Sequence, residues 1–463
     1  MFPKQYRMLL ITIVCSFFSC KKFVAINPPE TQLVTASVFT TDATATAAMV
    51  GIYSQMMQSN GFTSGDFGAI SNLSGMSGDE LSNFSPDASL TEFYRDALVT
   101  TNSFLYSSCW SEPYSYIYQA NAVLEGVQQG SGISDAVKKQ LTGEALFVRA
   151  YCNFYLVNLF GNVPLILSTA YADNAHAART AANAVYGQIV ADLKMAQADL
   201  SPDFSFSNGE RVRPNQGAAT ALLARVYLYQ ENWTDAAVQA SGLIGNNSTY
   251  NLETDLDSVF LANSQEAIWE LEPVRPGYNT NEGSLFILST VPSYYALNPG
   301  LISAFEIGDQ RRSHWVDSLV VGSNTYFYPF KYKIVSGTPV KEYSMELRLA
   351  EQFLIRAEAE AQQNQLTTAA ADLNTIRSRA GLPNTTATDQ VSLLQAILQE
   401  RRVELFTEGS HRWFDLRRTG NIDAFMNPAA VAKGGSWRST DQWYPIPQME
   451  IQLDPTLTQN AGY

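Results

Sequence analysis

The stretch from Ser134 to Phe160 constrains the fold most. It opens on a capping residue and repeats apolar side chains at helical spacing. Toward its end it is apolar almost all round: Leu146, Phe147, Val148, Tyr151, Phe154, Tyr155 and Leu156. A helix of that kind must be covered on several sides. The chain is therefore expected to be mostly α, with other helices wrapped round this one. Thr41-Asp42 caps an expected helix to about Gln58, and Pro113 to about Gln128 carries Tyr116, Ile117, Ala120, Val123 and Leu124 on one face. Asn183 to Leu200 is amphipathic through Val185, Ile189, Leu193 and Ala196.

Two stretches read as paired helices of the tetratricopeptide kind. Asn215–Tyr229 and Thr234–Ile244 are joined by the short turn Glu231-Asn232-Trp233, and Ala218, Ala221, Ala224, Ala236 and Ala237 let the two approach closely. Arg348–Gln363 and Thr367–Arg379 form the second pair, with Ala357, Ala359, Ala361, Ala369 and Ala370. No strict 34-residue period links them, so they read as degenerate repeats, which need neighbours to bury their faces.

Other segments break the pattern. Ser59–Ser89 is rich in Gly, Ser and Asn and is expected to be a long surface loop. Residues 246–345 read as a loop-rich insertion with a few short β-hairpins, its strands including Ala267–Leu271 and Thr325–Tyr328. Gly420–Tyr463 reads as coil.

The N-terminus carries an export signal. Lys4 and Arg7 precede an uncharged, mostly apolar run from Met8 to Ser19, and Cys20 follows with Lys21 and Lys22 behind it. The run is shorter than the roughly 20 residues that span a bilayer. Phe17-Phe18-Ser19-Cys20 resembles a bacterial lipoprotein box, with Phe17 where Leu is usual. The expected layout is a signal peptide over 1–19, a lipidated tether over 20–37 and the body over 38–463. An ordinary signal beside a chance cysteine is the competing reading. A lipid on Cys20 would anchor the chain at a membrane surface.

Charge and motifs exclude several functions. The formal net charge is −14, which disfavours a nucleic acid partner. His176, His314 and His411 are far apart, so no metal site is expected. No phosphate loop, dinucleotide fingerprint or H-E-x-x-H occurs, and no cofactor is expected. Gly75-Met76-Ser77-Gly78 only half matches a nucleophile elbow. Cys109 and Cys152 both lie in apolar helical patterns and pack as small hydrophobes, with a disulfide between them an open alternative in an oxidising compartment.

Glu400, Glu404 and Glu408 stand at i, i+4 and i+8, so one helix face would carry three carboxylates, the groups a glycoside hydrolase needs. Arg401, Arg402, Arg412, Arg417 and Arg418 surround them in sequence, and ion pairing that locks helices together is the preferred reading. Loop aromatics point elsewhere. Phe84 beside Asn83, Tyr94 beside Arg95, Tyr278 beside Asn279, and Tyr294-Tyr295 place rings among amides and charges. A ring covers the apolar C–H face of a pyranose while the polar neighbours take its hydroxyls. Asn83, Phe84, Tyr94, Tyr278, Tyr294 and Tyr295 are therefore the candidate ligand contacts.

Several blocks resemble one family. Leu347–Ala359 matches L-R-x-A-E-x-x-L-x-x-A-E-A. Ile397–Gly420, ILQERRVELFTEGSHRWFDLRRTG, is similar to E-R-R-x-E-L followed by H-R-W-x-D-L and R-x-G. Tyr444–Ile451 and Gln459–Tyr463 resemble closing P-I-P-x-x-E and Q-N-P-G-Y blocks, with Ala461 in place of Pro. Gly143-Glu144-Ala145, Arg149-Ala150, Phe160–Leu165 and Leu301–Arg312 also match. On these residues the chain resembles the SusD/RagB family of outer-membrane lipoproteins. The resemblance implies a mostly helical single domain and a non-enzymatic role. That role is capture of an oligosaccharide outside the cell and delivery to a SusC-like TonB-dependent transporter in the outer membrane, or capture of peptide or another nutrient by the same lid. It also implies that ligand contacts lie in the loop after the first helix and around residues 275–300.

Overall fold

The computed structural model describes residues 38–58 and 61–463. Cys20, the leader and the tether lie outside the described residues.

The helical periodicity is realised almost where the sequence puts it. Helix α1 (Asp42–Met56) starts at Thr41, whose side chain accepts from the Thr44 N–H. After α2 (Ile70–Ser77) come α3 (Glu112–Gln129) and α4 (Asp135–Phe160). The all-round apolar end of α4 is buried completely, from Gly143 to Phe160. Helix α3 covers one side of it and α5 (Ala182–Asp199) another, while α1 packs against both α3 and α4. Ser134 precedes α4 without capping it; its N–H and hydroxyl donate to Asp42, pinning the start of α1 to the start of α4.

The array then continues helix on helix. Helices α6 (Gln216–Tyr229) and α7 (Trp233–Ile244) form the first hairpin, with Asn215 and Asn232 capping through the Ala218 and Asp235 N–H groups. Helices α8 (Leu349–Gln362) and α9 (Leu366–Arg379) form the second. Helix α7 packs on α8, so the two hairpins stack although about a hundred residues separate them in sequence. Helix α10 (Gln390–Glu404), opened by an Asp389–Ser392 capping box, closes the array against α8 and α9, and α11 (His411–Arg418) follows it.

Among the described residues, eight short strands pair antiparallel in four two-stranded sheets. They are β1 (Leu81–Asn83), β2 (Val163–Pro164), β3 (Arg179–Thr180), β4 (Ala267–Leu271), β5 (Tyr295–Leu297), β6 (Val316–Val321), β7 (Asn324–Pro329) and β8 (Ser344–Arg348). Both expected strands of the insertion form. The hairpin expectation is corrected: within the insertion only β6–β7 is one, while β4 pairs with β8, and β5 leaves the insertion to pair with β1. These pairings staple the insertion onto the helical array.

Two further expectations, a surface loop after α1 and a coiled C-terminal stretch, are corrected, and the disulfide alternative falls away. Residues 61–89 are not a surface loop. Helix α2 lies there with all its residues but Ser71 buried, because small residues let it press close: a Cβ on Gly75 would sit 3.3 Å from Leu81 Cδ1. Ser77, in the half-matched elbow, is buried and hydrogen-bonded to the Tyr444 hydroxyl. The C-terminal stretch contains helices at Ile422–Ala432 and Gln448–Leu453, the first with Pro428 inside it. Cys109 and Cys152 are both free and buried, so no disulfide joins them.

Candidate functional site

The three clustered carboxylates are scaffold. Helix α10 ends at Glu404, so Glu408 lies beyond it rather than on its face. Their partners are not the neighbouring arginines but cations from other elements. Glu404 is hydrogen-bonded by Arg348, Arg311 and Arg379; Arg348 also reaches Glu266 at 2.9 Å and Glu408 at 2.7 Å. Glu400 meets Arg311 at 2.7 Å and Arg377 at 3.2 Å. Burial alone would raise the Glu404 carboxyl, but Arg379, Arg348 and Arg311 outweigh it and hold it well below the usual range. Glu408 is likewise pulled down against burial by Arg348 and Lys331. Burial pushes the Glu400 carboxyl up instead, but it too is enclosed and ion-paired, so none of the three has free access to a substrate. The arginines adjacent in sequence serve other pairs: Arg401 and Arg418 hold Asp415, and Arg402 and Arg412 hold Asp79.

The rings assemble a different place. The segment after α1 turns through Gly65, at φ +70°, and delivers Asp66 and Phe67 to the surface. A Cβ on Gly65 would fall 2.0 Å from the Glu282 carboxyl carbon, so only glycine permits this approach. The insertion meets it there. Thr280 caps the short helix Asn281–Phe286, and the Asn281 amide donates to the Met57 and Ser64 carbonyls at 3.1 and 2.8 Å. Tyr294 then lays its ring on Phe67, with centroids 4.6 Å apart and planes 12° from parallel. Phe104 meets Phe67 edge-on at 5.9 Å.

Beside this stack lies an open cleft of about 390 Å³, rimmed by Asp66, Arg275, Asn281, Ser284 and Ser293. Its size is that of a small-ligand site. A half-buried stacked pair among amide, hydroxyl and charged groups can hold a flat apolar face and hydrogen-bond the groups at its edge.

The six candidate residues separate. Tyr294 lines the cleft. Phe84 is 40% exposed and touches Tyr326 edge-on, while its N–H donates to the Tyr294 carbonyl, so it stands next to the stack. Tyr278 is close by, but the Arg275 guanidinium covers its ring at 3.4 Å and is the group that reaches the cleft. Tyr295 is corrected: only 1% exposed, it points inward from β5, and its hydroxyl donates to the Phe67 carbonyl. It positions Phe67 and is not free to meet a ligand. Asn83 spends its amide on Ser85 and Thr91 in the local turn. Tyr94 is half-buried against the core with the Lys433 ammonium over its ring, away from the cleft lining. Asp66, Phe67, Phe104 and Arg275 were missed. Phe67 lay within the glycine-rich stretch read as a plain loop, and nothing in the sequence pairs it with Tyr294.

The helix Asn281–Phe286 has a second side. Glu282 and Phe286 face an inner cavity of about 30 Å³, shared with Tyr151, Tyr332, Lys331 and Glu346. Burial pushes Glu282 up to about 8 and Glu346 up to about 7; Ser344 and Tyr151 donate to them in turn. Burial also lowers Lys331 to about 8. Among the described residues no group of three or more His, Cys, Asp or Glu is placed to hold a metal ion.

Comparison with known proteins gives consistent matches. A family model described as the SusD family matches residues 310–463, and one described as starch-binding associating with outer membrane matches residues 33–228. A SusD-like protein of Formosa agariphila is 24% identical over 99% of both chains. One of Bacteroides ovatus is 25% identical over 90% of this chain and 82% of its own. Among solved structures, a SusD superfamily protein of Bacteroides vulgatus superposes with a TM-score of 0.79 at 20% identity, covering 91% of this chain and 99% of that one. A laminarin-binding SusD-like protein gives 0.77 at 25% identity, over 92% and 100%. Surface glycan-binding protein A of Bacteroides fluxus gives 0.77 at 22%, over 92% and 100%.

Proposed function

The chain belongs to the SusD family, and from that premise we propose that it captures a glycan at the Phe67–Tyr294 cleft and passes it to a SusC-like TonB-dependent transporter. The observation that carries the reading is the ring stack itself, exposed along one side and set among Asp66, Arg275, Asn281 and Ser284. A pyranose presents an apolar C–H face to a ring and hydroxyls to the rim, and this cleft offers both. The relative named for laminarin binding, 25% identical over nearly its whole length, supports the ligand class. Capture precedes uptake, so no reacting group is required of the site. A lipid on Cys20 holds the protein at the outer membrane, facing outward.

Affinity electrophoresis against a polysaccharide panel that includes laminarin tests the reading. Retardation by at least one glycan, reduced in Tyr294→Ala, is expected. Free migration in every gel would move the ligand to another nutrient class, such as peptide.

A further inference from the structure

One short helix separates two spaces. Asn281, Ser284 and Leu285 line the outer cleft, while Glu282 and Phe286 line the inner cavity of about 30 Å³. A helix of six residues has little stability of its own, so its contacts fix its place. The Asn281 amide ties its start to the Met57 and Ser64 carbonyls. Gly283 presses on the segment after β7, where a Cβ would fall 2.8 Å from the Ile334 carbonyl oxygen. The third contact is the Glu282 carboxyl, which lies against Gly65. The Gly65 turn presents Asp66 to the cleft and Phe67 to the ring stack. One carboxyl therefore touches the backbone of both walls of the cleft.

That carboxyl is poorly placed to carry a charge. Its Oε1 accepts from the Ser344 hydroxyl, and its Oε2 is buried with no hydrogen-bond partner among the described residues. The titratable groups that face it come from five elements. They are Asp66 in the turn after α1, Tyr151 and Tyr155 on α4, Lys331 and Tyr332 after β7, Glu346 on β8, and Glu408 after α10. Lys331 is the one cation in this lining, and its ammonium is spent on the Glu404 and Phe406 carbonyls and on Glu408. Glu346 and Asp66 oppose a further negative charge, and burial opposes it more, so Glu282 keeps its proton up to about pH 8. Ionising it there requires water at Oε2, because a buried charge without a partner is costly. Helix α4 and strand β8 are core walls of the cavity, whereas the six-residue helix and the Gly65 turn are its thin side.

We propose that Glu282 is a positioning residue of the glycan cleft: protonated, it holds the Asn281–Phe286 helix against the Gly65–Phe67 turn in the geometry that lines the cleft, and ionised it lets the two part. Capture then weakens as pH rises into the alkaline range, and binding a glycan there takes up a proton. This inference rests on the cleft reading above. The sign follows from the raised value: the tight geometry favours the protonated carboxyl, so affinity is full below about pH 7 and is lost above about 8. At pH 9 about one molecule in ten is still competent, which lowers the apparent affinity about tenfold.

The test begins on the full-length protein without glycan. Deuterium exchange over residues 61–67 and 281–294 should match between wild type and Glu282→Gln at pH 6.5. At pH 9 the wild type should exchange about threefold faster or more than the variant, whose amide stays neutral. Calorimetry then uses the polysaccharide that retards the protein most in the panel above. Wild-type affinity should fall about tenfold from pH 6.5 to pH 9, and that of Glu282→Gln less than about twofold. At pH 8 the wild-type binding heat should vary with the ionisation enthalpy of the buffer, which reads the proton uptake and needs no variant. Glu346→Gln removes the neighbouring acid and should move the midpoint of the profile to lower pH. Parallel pH profiles of wild type and Glu282→Gln, a shift in affinity that is equal at both pH values, or a midpoint unmoved by Glu346→Gln overturns the proposal and leaves the cleft reading intact. Equal exchange of the two proteins at pH 9 overturns the parting of the walls and the proposal with it. No binding of any polysaccharide at either pH overturns both.

Discussion

The network around Glu404 and the cleft around Tyr294 draw on the same kinds of residue and put them to opposite use. In the network, Arg311, Arg348, Arg377 and Arg379 converge on Glu266, Glu400 and Glu404, none of them more than a tenth exposed along the side chain. Every guanidinium is committed. At the cleft, Arg275 lies over Tyr278 with no carboxylate partner among the ion pairs of the described residues, and Phe67 and Tyr294 keep part of their stack in solvent. A buried charge that is fully paired fixes geometry; an accessible ring or cation beside a void has binding capacity left. Charge density alone therefore misdirects the search for a site, and unspent capacity is the better guide.

The largest expected effect breaks the network. Arg348→Met leaves Glu266, Glu404 and Glu408 buried with a partner missing, and urea unfolding should show a loss of about 3–5 kcal/mol. A loss below about 1 kcal/mol would mean the network is not the clamp described. Next is the cleft. Tyr294→Ala should weaken glycan binding about tenfold or more by calorimetry while costing only about 1 kcal/mol of stability. An unchanged affinity with a large stability loss would make the stack mere packing.

The network and the inner cavity behind the cleft should respond to pH with opposite signs at Glu404 and Glu282. Glu404 and Glu408 are held low, so the stability they contribute is present at neutral pH and is lost as pH falls through their depressed values. Glu282, pushed from 4.5 to about 8, favours the folded state in its protonated form. Its contribution is full below about 4.5 and is lost as pH rises through 8. Thermal melts between pH 6 and 9 should therefore fall more for the wild type than for Glu282→Gln, and parallel curves would remove Glu282 as the cause. The smallest effect sits at the cleft's edge: Phe84→Ala should change glycan affinity less than about threefold and stability by about 0.5 kcal/mol.

The helical array was legible because each long helix writes its buried face at helical spacing, α4 most plainly. Helix α2 was not, since Ile70, Leu73 and Met76 are a short stripe diluted by Ser, Gly and Asn, and the close approach at Gly75 and the Ser77–Tyr444 hydrogen bond come only with the fold. The Glu400–Glu404–Glu408 spacing was legible as an ionic cluster, but its partners arrive from residues 311, 348, 377 and 379, which local sequence does not connect. The cleft is lined from both regions that the resemblance points to, after α1 and around 275–300, and of the six candidate residues Tyr294 is in its lining. Tyr294 and Tyr295 look identical in sequence, and only the register of β5 against β1 decides which faces outward. Phe67 and Tyr294 meet across more than two hundred residues, a pairing that only the fold supplies.

The central claim is that the Phe67–Tyr294 cleft takes the ligand while the charged network does not. Hydrogen–deuterium exchange with and without a saturating amount of the tightest glycan from the panel addresses it directly. The account predicts slowed exchange across residues 61–67 and 284–294, with 400–408 unchanged. Protection confined to other segments, with 61–67 and 284–294 exchanging as in the free protein, would contradict it.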